Sequence, residues 1–137
     1  MLRTIVDAHA RPVHTVRLPQ PSAYSGLGQG AYDLFATAAI DNVVNVWDLR
    51  SSAPVMSLSA HLNRVHPVGM AFSPCMRYLA SGSEDKVCYL YDIRTGALCE
   101  RLQGHTDTVA DVSFNPLHPQ LATCSFDRKV MFFADKL

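Results

Sequence analysis

Short runs in which apolar and polar residues alternate are separated by turn residues along nearly the whole chain. That period of two is the mark of half-buried strands. VVNVWDL at 43–49 and KVCYLYDI at 86–93 carry too many β-branched and aromatic residues for a helix. Asn63-Arg64, Ser73-Pro74, Arg94-Thr95-Gly96 and Asn115-Pro116 supply the breaks between runs. No ten-residue segment follows a helical period. The pattern predicts an all-β chain.

Within that pattern one arrangement recurs three times. An Asp is followed six residues on by an aromatic residue: Asp41 by Trp47, Asp85 by Tyr91, Asp127 by Phe133. Four residues before each Asp stands a hydroxyl residue, Thr37, Ser81 or Thr123, and further upstream a His, His9, His61 or His105. The Asp positions lie 44 and 42 residues apart. A period of that size signals a repeat architecture built from small sheets. The units are 1–49, 53–92 and 97–137. Each reads as four strands, in the second near 55–59, 66–72, 78–82 and 87–92, in the third near 98–102, 109–115, 120–124 and 130–133. The first carries an insertion at 20–32, QPSAYSGLGQGAY, whose Gly and Pro content predicts a surface loop.

Composition narrows the classes of function. The chain is 48% hydrophobic and 18% charged, enough apolar material for a packed core. Twelve Lys and Arg balance twelve Asp and Glu, so bulk charge offers no basic field for nucleic acid or an anionic membrane. Cys75, Cys88, Cys99 and Cys124 form no C-x-x-C pair and are expected to be reduced thiols rather than metal ligands. The N-terminal MLRTIVDAHARP lacks a signal-peptide core, and no 18-residue apolar stretch exists. An intracellular setting, cytoplasmic rather than nuclear, is expected.

These residues resemble the WD-repeat family, whose units form the four-stranded blades of a β-propeller. The resemblance is carried by Gly104-His105, Trp47-Asp48 and LASGSEDK at 79–86, with AHA at 8–10 and AHL at 60–62 as weaker Gly-His elements. It implies a buried hydrogen-bonded chain from Asp through His and Ser/Thr to the Trp indole. His9, Thr37, Asp41 and Trp47 make a complete set. In the second unit His61, Ser81 and Asp85 would have to end on Tyr91, whose hydroxyl has a different reach from an indole N–H. In the third, His105, Thr123 and Asp127 meet Phe133, which has no donor.

The resemblance also implies that binding uses one rim of the propeller, next to each His and each turn Asp. By position that rim includes His14, Arg64, His66, Glu84, Thr108 and Phe126. Its mixed, mostly uncharged character suits a protein or peptide partner, with no nucleic acid, membrane or small-molecule substrate and no cofactor. An exposed Phe126 is either a binding anchor or packed on a neighbouring blade. The expected function is a non-catalytic interaction scaffold, the C-terminal part of a propeller. Purely structural ring-closing blades, or a truncated isoform without binding of its own, is the alternative. A hydrolase built on His, Ser/Thr and Asp is the remote one, because a triad needs one exposed nucleophile, not three copies of one trio. Gly26-Leu27-Gly28-Gln29-Gly30 lacks the spacing of a phosphate loop. Three units fall short of the four to eight blades of a closed ring. A fragment is therefore expected, opening with an outer-strand-like piece at 2–7 and exposing an apolar face at each end.

Overall fold

The computed structural model describes residues 3–19 and 33–134. These form three antiparallel sheets. The first holds β1 (Val13–Arg17), β2 (Leu34–Ala39), β3 (Val44–Asp48) and β4 (Pro54–Leu58) in that order. The second runs β5 (Met70–Phe72), β6 (Tyr78–Ser81), β7 (Cys88–Asp92) and β8 (Leu98–Leu102). The third contains β9 (Val109–Phe114), β10 (Gln120–Ser125) and β11 (Val130–Ala134). Inner strands neighbour one another, β1 against β5 and β5 against β9, as blades do around a propeller axis. The array is open. The insertion at 20–32 falls outside the described residues.

Sequence unit and sheet are out of phase by one strand. The strand that opens the second unit pairs with β3 of the first sheet, Val44 opposite Leu58, and the one that opens the third pairs with β7, Cys88 opposite Leu102. Each unit thus lends its first strand backward, and the third sheet keeps three strands among the described residues. The interlock ties neighbouring sheets through the chain itself.

Two further expectations are corrected. The strand expected from His66 begins only at Met70, because the N–H groups of Arg64, Val65 and His66 are taken by the Glu84 carboxylate instead of a ladder. The described part of 2–7 forms no strand. It is an irregular strap: Arg3 donates to the Leu49 and Ser51 carbonyls, and Asn45 Nδ2 donates to the Ala8 carbonyl at 3.0 Å. These side-chain bonds tie the segment to β3 and to the turn after it without a backbone ladder.

Two apolar layers fill the wedges. Val44, Val46, Leu58, Met70, Leu79 and Tyr91 pack between the first and second sheets, and Cys88, Val109, Val112 and Leu121 between the second and third. The second wedge closes tightly because of a glycine. A Cβ on Gly82 would stand 2.4 Å from the Val109 carbonyl oxygen, so only glycine lets β9 approach. Across the same seam Gly69 N–H donates to Ala110 and Val109 N–H to Ser83.

Candidate interaction rim

One edge of the array gathers every recurring polar residue. Inner strands begin and second strands end there, with Val13 opposite Ala39, Met70 opposite Ser81 and Val109 opposite Ser125. The His-bearing loops therefore lie beside the turns that carry the Asp residues. After each Asp the chain takes a left-handed residue, Asn42, Lys86 or Arg128, with φ of 65°, 75° and 71°. The Asp side chain stabilises that turn in two of three cases: Val43 N–H donates to Asp41 Oδ1 at 3.1 Å, and Lys129 N–H to Asp127 Oδ1 at 2.9 Å.

In the first unit Trp47 Nε1–H donates to Thr37 Oγ1 at 2.9 Å, His9 Nε2 lies 2.8 Å from the same oxygen, and His9 Nδ1 lies 3.1 Å from Asp41. Indole can only donate, so Thr37 Oγ1 accepts from Trp47, and the His9 ring bridges that hydroxyl to the Asp41 carboxylate. The third unit repeats this without the last link, His105 standing 2.7 Å from Thr123 and 2.9 Å from Asp127. Phe133 offers no donor there and packs against the apolar layer instead. Burial works against the charge of Asp127, yet the Thr106 and Lys129 N–H groups and the His105 ring hold its carboxyl down at about 2.

The second unit is rewired. The Tyr91 phenol does not reach Ser81. It accepts the His61 N–H at 3.0 Å and lies 2.8 Å from Nδ1 of the same ring. Ser81 donates to the Gly82 carbonyl, and Asp85 accepts from Tyr89. A phenol oxygen stands beyond the position of an indole nitrogen and captures the loop itself, so His61 no longer meets Ser81 or Asp85. Its Nε2 is buried without a partner, and burial drives the ring down to about 4.

The loop is held by Ser83, by Asn63 and by Glu84 of the expected rim. Ser83 Oγ accepts Leu62 N–H at 2.9 Å, and Glu84 Oε1 accepts three consecutive N–H groups, from Arg64, Val65 and His66, at 3.0, 2.7 and 2.8 Å. Burial opposes the charge on Glu84, but those N–H bonds win and keep its carboxyl below the usual range. Asn63 is a second addition. Its N–H donates to Asn42 Oδ1 at 2.7 Å, and its Nδ2 donates to His14 Nε2 at 2.8 Å, joining the first sheet to the second. For Ser83 and Asn63 the sequence signal was polarity beside the motif positions.

The six expected rim residues separate on inspection. Arg64, His66 and Phe126 are exposed, and His66 meets Phe126 edge-on with ring centres 5.3 Å apart. Phe126 remains 50% exposed, so its ring meets the loop ahead of β5 and faces solvent at once. Glu84 is half-buried and engaged as described. Thr108 is buried, its carbonyl accepting Phe126 N–H at 3.0 Å, and cannot touch a partner with its side chain. His14 lies in the seam between sheets rather than on the rim, and burial lowers its pKa.

Comparison with known proteins now names the class. The family model "WD domain, G-beta repeat" matches residues 52–92 and 96–133, more than half of the chain. The chain belongs to the WD40 repeat family, whose repeats generally mediate protein–protein interaction. It is 36% identical over 85 residues to coatomer subunit beta'-1 of Arabidopsis thaliana, covering 62% of this chain and 9% of that protein. It is 31% identical over 123 residues to the U3 small nucleolar RNA-associated protein 15 homolog of Xenopus laevis, covering 89% of this chain and 24% of that protein. With the WD repeat-containing protein 26 homolog of Drosophila melanogaster it shares 45% over 60 residues, 43% of this chain and 10% of that protein. The chain spans about a tenth of the length of the first of these curated relatives.

Proposed function

We propose that the chain is a non-catalytic scaffold, part of a WD-repeat propeller whose other blades are its immediate neighbours. It presents the rim to a protein or peptide partner and handles no small-molecule substrate or cofactor. The observation that carries this reading is the division of labour at one edge. The hydroxyls of Thr37 and Thr123 are buried and engaged, while Arg64, Val65, His66 and Phe126 are exposed on loops fixed from behind. A hydrolase would need the reverse. Burial also pushes the Cys88 thiol up to about 12 and raises Cys99, which disfavours thiolate chemistry at either. The free cysteines suit a reducing cytoplasm. The wording AHARPVH, AFSPC, GHTDTV and PQLAT further resembles the C-terminal repeats of WD repeat-containing protein 27, which supports the placement near the end of a ring.

A photo-crosslinking amino acid at Val65 should capture a partner in cells, and one at Thr95 on the opposite edge should not. Substituting Phe126→Ala should weaken the capture without lowering thermal stability. Equal capture from both edges would sink the rim reading. A purely structural role is the second reading, favoured by Phe132 standing 65% exposed on the third sheet. It predicts no capture at Val65 and strong capture at Val130.

A further inference from the structure

The segments between each His and its inner strand (9–12, 61–69, 105–108) and the turns that face them (40–43, 82–87, 126–129) carry five acids and five bases. Their side chains are directed differently. Asp41 and Asp127 accept from a His ring and from loop N–H groups. Glu84 accepts three N–H groups, Asp85 accepts from Tyr89, and Asp107 accepts from Thr108. Each of the five acids has an oxygen on a protein donor, Asp41, Glu84 and Asp127 from half-buried positions and Asp85 and Asp107 from exposed ones. The five bases, Arg11, Arg64, Lys86, Arg128 and Lys129, are exposed and form no ion pair among the described residues.

The opposite edge is arranged otherwise. There Arg50 lies 3.0 Å from Asp48, and Arg77 and Arg94 lie 3.9 and 4.0 Å from Asp92. Bases and acids at that edge satisfy one another. A balanced total of charge thus conceals an edge where three of five acids are half-buried and bonded to the protein while all five bases face solvent. Between those donors sits an apolar anchor, the His66 and Phe126 rings beside Val65, which is 70% exposed.

We propose that the rim binds an acidic peptide segment carrying one aromatic or aliphatic side chain. The carboxylates would meet Arg64, Lys86, Arg128 and Lys129, and the apolar side chain would seat against Phe126 and His66. Guanidinium and ammonium groups recognise carboxylates by charge-assisted hydrogen bonds, and complementarity of this kind sets selectivity and on-rate. The loops contribute little bulk apolar area, so the apolar residue serves as the anchor and the charges as the filter. This inference rests on the rim reading above and specifies the partner.

The test is fluorescence anisotropy on the whole chain with three labelled peptides of equal length around one central Phe. The first is rich in Asp and Glu, the second has Lys at those positions, and the third has Gln. A single-stranded oligonucleotide of similar charge is the fourth probe. The acidic peptide should bind tightest, more weakly as salt rises. Each reversal, Arg64→Glu, Lys86→Glu or Arg128→Glu, should weaken it about three- to tenfold. Arg94→Glu on the opposite edge should not, and Phe126→Ala should lower affinity with the salt dependence unchanged. These side chains are exposed, and an unchanged Trp47 emission confirms the fold of each variant. Equal binding of the Lys or Gln peptide, no binding of any peptide, tighter binding of the oligonucleotide, or equal sensitivity to Arg94→Glu overturns the proposal. If Val65 captures a partner in cells whose binding ignores the charge reversals, this proposal fails while the rim reading stands.

Discussion

At the residue scale, His61 is the point where the repeat is under greatest chemical tension. Its ring is buried, bonded on one side to Tyr91 and unpartnered at Nε2, and its pKa falls from an ordinary 6.5 to about 4. The folded chain therefore binds fewer protons than the unfolded chain between those values. Stability from this group is complete above about pH 6.5 and drains away as pH falls toward 4. His14 shifts in the same direction and adds to the loss. Asp127 contributes only later, as pH falls from 3.8 toward 2. Urea unfolding should show a loss of about 1–2 kcal/mol between pH 7 and pH 5. His61→Asn should flatten that slope, and an unchanged slope would place the titration elsewhere.

At the scale of the elements, the seam between the second and third sheets depends on a missing side chain. Gly82→Ala places a methyl carbon 2.4 Å from the Val109 carbonyl, and backbone on both sides leaves nothing flexible to yield. A cost of about 2–3 kcal/mol is expected, the upper part of the range for overpacking. Circular dichroism melts of the variant measure it, and a drop in melting temperature below about 3 °C would show that the seam relaxes. The same scale shows what the sequence carries and where it stops. Period-two patterning and the Asp-to-aromatic spacing define strands β2, β3, β6, β7, β10 and β11 because each is a local property of one hairpin. Pairing between units is not local. Nothing in 55–59 says that it lies against β3 rather than β5, so the one-strand offset emerges only in three dimensions. The polar set divides likewise. His9, Thr37, Asp41 and Trp47 meet at distances their spacing allows, but the capture of His61 by Tyr91 turns on the length of one side chain. Ser83, Glu84 and Asn63 bond to loops about twenty residues away in sequence, a relation no period reveals.

For the whole molecule the two end sheets differ. In the first sheet Trp47 is 2% exposed, stacked on Phe35 and bonded to Thr37, whereas Val130 and Phe132 stand 63% and 65% exposed on the third. Aromatic and branched side chains on an unpaired outer strand favour association. Phe132→Lys should shift the chain toward monomer in concentration-dependent light scattering while leaving its melting temperature nearly unchanged. Association that persists in this variant would run through β1, where Val13 and Val16 are also exposed.

The carboxylate of Glu84 has a consequence for the manner of recognition. By taking the N–H groups of Arg64, Val65 and His66 it occupies the donors through which an extended chain could add itself as a strand. A visitor to this loop meets side chains and carbonyl oxygens in place of those donors. Because the loop is already ordered, docking there forfeits little conformational entropy, and association should proceed in a single kinetic phase.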